Sequence, residues 1–232
     1  MKPQFFRFLH AGEGGMVVEF GEEIDPRTNL LVLELEKKIR GERLPGIEET
    51  VPTYRSLFIS FDPQKFSHHQ LKEKLQGMIS TLEIENCKEG RLVQIPVVYG
   101  GEFGPDLQGV AEMKGLAQEE VIRLHTSREF RVFMIGFTPG FPYLGVLPPE
   151  IAVPRLETPR LKVPKGSVGI AELQTGIYPL ESPGGWRIIG RTPLQLFNPE
   201  TNPPFLLSPG DRVRFFPISP KEYQELLQDG SL

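Results

Sequence analysis

The chain has 232 residues, more than one average domain and fewer than two, so one large domain or two small ones are expected. Hydrophobic residues at 39% and charged residues at 24% exclude a disordered chain, and a net charge of -4 supplies no basic field for nucleic acid or an anionic membrane. The one cysteine, Cys87, excludes an intrachain disulfide and a cysteine-rich zinc site. With no apolar run of signal-peptide or membrane-spanning length, a soluble cytoplasmic protein is expected.

Phe5 to Leu9 and Met16 to Phe20 are short β-rich runs separated by Gly12-Glu13-Gly14-Gly15, and they read as a strand pair. Asp25 suits an N-cap, Pro26 the first helical position, and Leu31, Leu35 and Ile39 recur at helical spacing. Tyr54 to Phe61 reads as a strand closed by Asp62-Pro63. Ser67 and Gln70 match a capping box, and Leu71, Leu75, Met78 and Ile79 share one face, which predicts a second helix. Another strand is expected from Arg91 to Tyr99. This order predicts an α+β domain over residues 1–86 with two helices on one sheet, and leaves open whether the strand at 91–99 is shared with the rest of the chain.

Helices are expected at Pro105 to Lys114 and Gln118 to His125, with Gly115 as the stop between them, and a last one at Lys221 to Leu227. In between, short β-type runs at 161–163, 168–170, 186–189, 194–197 and 212–216 are divided by Pro and Gly. Residues 87–232 therefore read as a β barrel or sandwich.

The sequence carries no P-loop, no G-x-G-x-x-G after a strand, no G-x-S-x-G and no H-E-x-x-H. His68 and His69 are neighbours in a first helical turn and point about 100° apart, so they read as a solvated face rather than a metal pair. Cys87 lies in a polar stretch without an adjacent base, as an incidental thiol would. His125 ends a helix, where the dipole would hold an imidazolium; the other reading is a pocket residue, because the strand expected next leads directly into the densest unusual motif of the chain. The densest unusual motifs are GFTPGFPYLG at 136–145 and SPGGW at 182–186. They are either sharp barrel corners or a glycine-rich anion cradle beside aromatic walls, with Arg155, Arg160, Lys162, Lys165, Arg187 and Arg191 nearby in sequence.

These motifs, together with YGGEFGPDL at 99–107, PRLETPRLKVPKGSVGIA, QTGIYPLESPGGWRIIGRTP and SPGDRVRF, resemble the KipI/PxpB family, also known as allophanate hydrolase subunit 1 or as the B subunit of the prokaryotic 5-oxoprolinase. The likeness covers nearly the whole chain. It implies an N-terminal α+β domain followed by a mainly β, cyclophilin-like barrel. Phe130 stands where the family commonly has tyrosine, which removes a hydroxyl near His125; Val98 stands in place of a common cysteine, and Ala117 in place of a Ser or Thr cap.

The resemblance implies a component of an ATP-dependent 5-oxoprolinase that opens 5-oxoproline to glutamate. Its partners would be an allophanate hydrolase subunit 2-type protein (the 5-oxoprolinase C subunit) and an A subunit of LamB/YcsF type. The alternatives within the family are inhibition of a sporulation-type histidine kinase and a part in urea or allophanate metabolism. ATP with Mg2+ belongs to the assembled complex, and no cofactor is expected on the isolated chain. Residue type and motif position, rather than the family, suggest the site. Lys165, Gly166, Ser167, Gly184, Gly185, Arg187 and Arg191 are read as one wall of a nucleotide site that a partner completes, and Tyr143, Tyr178 and Trp186 as flanks of a small ring, with His125 as the further binding candidate. Phe137, Phe141, Tyr143 and Trp186 are the expected partner contact, catalytic residues stay unassigned, and no metal ligand is expected.

Overall fold

A computed structural model describes residues 5–82 and 90–228. The chain forms two compact units, 1–89 and 90–232.

The first unit runs β1 (Arg7–His10), β2 (Gly15–Glu19), α1 (Pro26–Glu42), β3 (Ile47–Pro52), β4 (Ser56–Phe61) and α2 (His68–Ser80). Its four strands are antiparallel in the order β1-β2-β4-β3. The Asp25 carboxylate accepts the Thr28 N–H at 2.7 Å and starts α1. Ser67 and Gln70 form the expected reciprocal box: the Ser67 N–H donates to Gln70 Oε1 at 2.9 Å and the Gln70 N–H donates to Ser67 Oγ at 3.2 Å. Along β4, Leu57, Ile59 and Phe61 are buried while the residues between them are not, so one face of the sheet packs on Leu35 and Ile39 of α1 and Leu71 and Leu75 of α2.

Strand β3 was not expected. Ile47-Glu48-Glu49 carries a bulge, Pro52 ends it, and it pairs on one side only, so it lacks the alternation that marks a half-buried strand.

The second unit runs β5 (Leu92–Tyr99), α3 (Leu107–Lys114), α4 (Gln118–Thr126), β6 (Phe130–Ile135), β7 (Pro142–Gly145), a short 3-10 turn (Pro149–Ile151), β8 (Arg160–Val163), β9 (Ser167–Ala171), β10 (Gln174–Ile177), β11 (Ser182–Gly184), β12 (Arg187–Arg191), β13 (Arg212–Pro217) and α5 (Pro220–Gln228). Seven strands close a barrel in the order β10-β7-β6-β13-β5-β12-β9, and β8 and β11 make a separate pair. The interior is filled by Ile95, Val97, Val132, Leu144, Val168, Ile170, Ile189, Val213 and Phe215. The strand at 91–99 is a barrel strand: it pairs with β12 and, in parallel, with β13. Ala117 gives α4 no side-chain cap, as its methyl side chain requires, and Glu119 and Glu120 in the first turn face the positive end of the helix dipole.

Three barrel-unit strands went unforeseen and one expected run is not a strand. Residues 194–197 make a single bridge, Phe197 to Phe205, while the Leu194 N–H donates locally to Thr192 Oγ1. The missed β7, β10 and β11 contain Pro142, Gly176 and Pro183-Gly184, residues that usually interrupt strands. Gly176 has a packing reason: a β-carbon there would lie 2.9 Å from both the Phe141 ring and the Pro142 carbonyl oxygen. Cys87 lies outside the described residues.

Candidate functional site

The two unusual motifs fold against each other in the barrel unit. After β6 the chain turns through Gly136 to Phe141, with the Gly136 N–H donating to the Phe141 carbonyl at 3.1 Å and the Phe141 N–H to the Thr138 carbonyl at 3.1 Å. Phe137 takes φ 66°, a left-handed conformation that costs a bulky residue energy, and its ring is 63% exposed. Phe141 points inward and is met by Tyr143 at 4.9 Å, Tyr178 at 5.1 Å and Trp186 at 5.4 Å, each ring edge to face. The Trp186 backbone N–H donates to the Tyr178 phenol, and Gly184 leaves the space in which that phenol sits.

These rings and the loops that hold them enclose a pocket of about 460 Å3. Its polar lining is sparse and specific. Thr138 Oγ1 and Ser182 Oγ are buried without a hydrogen-bond partner, although nearly all buried hydroxyls in folded proteins have one. Arg155 stands at the rim with its guanidinium 6.0 Å from the Trp186 ring centre. Among the described residues no carboxylate lines the pocket. Burial pushes the Tyr143 and Tyr178 phenols up in pKa, and the Arg155 charge partly opposes that in both.

The backbone on either side of Arg155 is pinned. Glu172 N–H donates to the Val153 carbonyl at 2.7 Å, Arg187 Nε to the Pro154 carbonyl at 2.9 Å, and Leu156 N–H to the Gly185 carbonyl at 2.8 Å. Two other hollows of similar size lie on the first unit. They are lined by mixed charges such as Arg40, Arg43, Glu48 and Glu49, or Lys37, Lys38 and Glu42, the usual dress of a solvated surface.

Of the residues singled out in the sequence, Tyr143, Tyr178, Gly184, Gly185, Trp186, Phe137 and Phe141 come together in this pocket. Lys165, Gly166, Ser167, Arg187, Arg191 and His125 do not line it. Gly166 has φ 81° and caps the turn between β8 and β9; its N–H goes to the Tyr178 carbonyl at 2.7 Å and the Ser167 N–H to Pro164 at 3.2 Å. Arg191 pairs in register with Ser167 and places its guanidinium 5.7 Å from the Phe103 ring. Neither Gly184 nor Gly185 has positive φ, so their glycine character answers to space, not to backbone handedness.

Two expectations need correction. His125 is not an imidazolium at a helix end: it is wholly buried, and desolvation takes its pKa down to about 3. Its nitrogens meet Tyr99 Oη at 2.8 Å and Thr175 Oγ1 at 2.9 Å, so the phenylalanine at 130 leaves neither unsatisfied. At the expected partner surface, Phe141 and Trp186 are buried, and only Phe137 and half-buried Tyr143 present area to a partner. Sequence reasoning named Arg155 only as one of several cations and missed Thr138 and Ser182. The available signal was a hydroxyl next to proline in each motif.

Residues 6–207 match the family described as carboxyltransferase domain, subdomain C and D. The chain is 42% identical to the 5-oxoprolinase B subunit of Bacillus subtilis, over 97% of this chain and 98% of that protein. It belongs to the family of 5-oxoprolinase B subunits. Among solved structures, TTHA0988 shares 40% identity with a TM-score of 0.79 over 88% of this chain, which spans only 40% of that larger chain. PH0987 from Pyrococcus horikoshii, a conserved uncharacterized protein, shares 49% identity with a TM-score of 0.57 over 94% of this chain and all of its own. More distantly, urea amidolyase of Lachancea kluyveri is 24% identical over 96% of this chain, which corresponds to 14% of that protein. Relatives of the 5-oxoprolinase B subunits thus include parts of longer chains.

Proposed function

We propose that this chain is the B subunit of a cytoplasmic, ATP-dependent 5-oxoprolinase that opens the lactam of 5-oxoproline to glutamate. It would act with a C subunit, an allophanate hydrolase subunit 2-type protein, and with an A subunit of LamB/YcsF type. The observation that carries the reading is the 42% identity to a protein of that name across essentially the full length of both chains. The closed seven-stranded barrel is read as cyclophilin-like. Among the described residues no helix is long and apolar enough to cross a membrane.

A five-membered lactam resists water because its amide is resonance-stabilised and its amine leaves poorly, so the reading includes ATP as the activating reagent. The residues present do not fit a triphosphate site on this chain alone. The N–H groups of Gly166 and Ser167, which a phosphate cradle would need, are spent on Tyr178 and Pro164 carbonyls. Among the described residues no group of three His, Cys, Asp or Glu side chains is placed to hold a metal ion. Nucleotide and Mg2+ are therefore assigned to the assembled complex, and no phosphoryl-transfer step is given to this chain's residues. The exposed Phe137 ring is the proposed partner contact.

Reconstitution tests this. The purified chain is expected to form no glutamate from 5-oxoproline and ATP, and to do so only with both partners. An inactive complex of all three proteins overturns the function; full activity of the single chain overturns the need for partners. The urea amidolyase likeness supports a second reading, amide activation of a urea-type substrate, and the same complex assayed with urea separates the two.

A further inference from the structure

We propose that the aromatic pocket binds a small carboxylic acid carrying a flat amide ring. Arg155 would hold the carboxylate, the Thr138 and Ser182 hydroxyls would pair with the amide, and Tyr143 and Trp186 would flank the ring. Naming that acid as 5-oxoproline rests on the function proposed above; the chemistry of the pocket does not.

Charge comes first. Among the described residues the lining contains one cation and no carboxylate, and Arg155 has no ion-pair partner, so the pocket favours an anion. A planar guanidinium is the side chain best matched to a carboxylate, because two parallel N–H donors meet its two oxygens. The hydrogen bonds on both sides of Arg155 hold its backbone in place, so the cation is presented from a fixed base.

Ser182, nine-tenths buried, and part-buried Thr138 both line the pocket, and the oxygen of each is closed to water and without a partner, so a turn of the side chain about χ1 would bring each hydroxyl to a ligand. Each hydroxyl both donates and accepts, and an amide presents one acceptor and one donor. Two orphan hydroxyls therefore match one amide, and a ligand that lacks it leaves them unpaired. The remaining wall is aromatic and prefers flat, partly apolar groups. A pocket of about 460 Å3 accepts a five-membered ring acid with room to spare at its mouth, beside the exposed Phe137.

The chain carries its own reporter, since Trp186 is its single tryptophan and forms one wall. Titrating the full chain with 5-oxoproline should change Trp186 fluorescence saturably and shift the Gly184 and Gly185 amide resonances in 1H–15N spectra. Arg155→Gln should weaken binding at least about tenfold, equal to roughly 1.4 kcal/mol, and Ser182→Ala severalfold. 2-Pyrrolidinone, which has the ring amide but no carboxylate, and cyclopentanecarboxylate, which has the carboxylate but no amide, should each bind at least about tenfold more weakly than 5-oxoproline. In the reconstituted complex Arg155→Gln should raise KM more than it lowers kcat. No saturable response of the chain, equal binding of all three compounds, or an unchanged affinity in Arg155→Gln overturns the proposal. An active complex with an unresponsive pocket would sink this assignment and leave the oxoprolinase reading standing. A responsive pocket in an inactive complex would do the reverse.

Discussion

The phenol oxygen of Tyr178 occupies the space into which a β-carbon on Gly184 would project, with ring carbons of the same side chain 2.7 and 2.8 Å from that position. At Gly185, one residue on, the nearest atom to an added β-carbon is Pro159 Cγ at an ordinary 3.6 Å. The glycine pair in SPGGW is therefore asymmetric. Gly184→Ala should cost about 1–3 kcal/mol, the usual range for overpacking, because Tyr178 is buried and hydrogen-bonded and cannot retreat freely. Gly185→Ala should stay within about 0.5 kcal/mol of the parent. Denaturant midpoints of the two variants check this, and equal losses would show that the Tyr178 contact is not what selects glycine.

A buried neutral histidine makes the barrel acid-sensitive. Thr175 Oγ1 donates to the Gly169 carbonyl at 3.0 Å, so it accepts from His125 Nε2–H, and Nδ1 is left to accept from Tyr99. A second proton on the ring turns Nδ1 from acceptor to donor and leaves the buried Tyr99 hydroxyl hydrogen without its partner, in a site where burial already disfavours the charge. The pKa is about 3 folded against the ordinary 6.5, so the unfolded chain binds the extra proton first. The stabilisation is thus complete above pH 6.5 and is lost progressively as pH falls from 6.5 toward 3. Between pH 7.5 and 5.0 this amounts to an expected loss on the order of 2 kcal/mol. Urea unfolding at both pH values should show His125→Gln less stable at pH 7.5 but flatter with pH than the parent; parallel pH profiles would contradict it.

Asp106 should be worth more than its place at the start of α3 suggests. Its side chain makes no cap hydrogen bond; one oxygen accepts the Ile188 N–H of β12 at 2.6 Å and the other accepts Arg160 Nη2 at 2.6 Å. Asp106→Ala should therefore cost about 1–3 kcal/mol, chiefly through the stranded Ile188 N–H and Arg160. Asp106→Asn keeps a neutral acceptor and should lose less. Chemical denaturation of both variants gives the order.

In the first unit, Ser67→Ala removes one bond of the capping box and should destabilise by about 0.5–2 kcal/mol. Faster amide exchange confined to the first turn of α2 is the expected signature. An unchanged midpoint would mean that Gln70 and water replace the cap without cost.

What the sequence disclosed and what it hid divide by range. Helix α2 was legible because its cap and its apolar face both lie within about a dozen neighbouring residues. Strands β7, β10 and β11 were not, because Pro142, Gly176 and Gly184 look like breaks until the Phe141 and Tyr178 rings that fill the space beside them are in place. The candidate site splits in the same way. Aromatic residues clustered in two motifs announced Phe141, Tyr143 and Trp186, whereas the unpartnered state of Thr138 and Ser182 exists only in three dimensions. The glycine at 166 misled because a turn that closes on the Tyr178 carbonyl and a turn that cradles an anion have the same composition.

The parallel pairing of β13 with β5 joins residues very far apart in the chain: the Arg91–Asp211 ion pair beside it spans 120 positions. During synthesis, β5 emerges long before its partner and waits with one edge open, as does β6 on the other side of the gap. The barrel cannot close until translation reaches Pro217, so its folding is a late, non-local event, whereas among the described residues every strand pairing and helix of the first unit is complete by Ser80. A nascent chain halted between β12 and β13 is therefore the species most exposed to strand-edge aggregation, and the stage at which a chaperone would matter most to this protein.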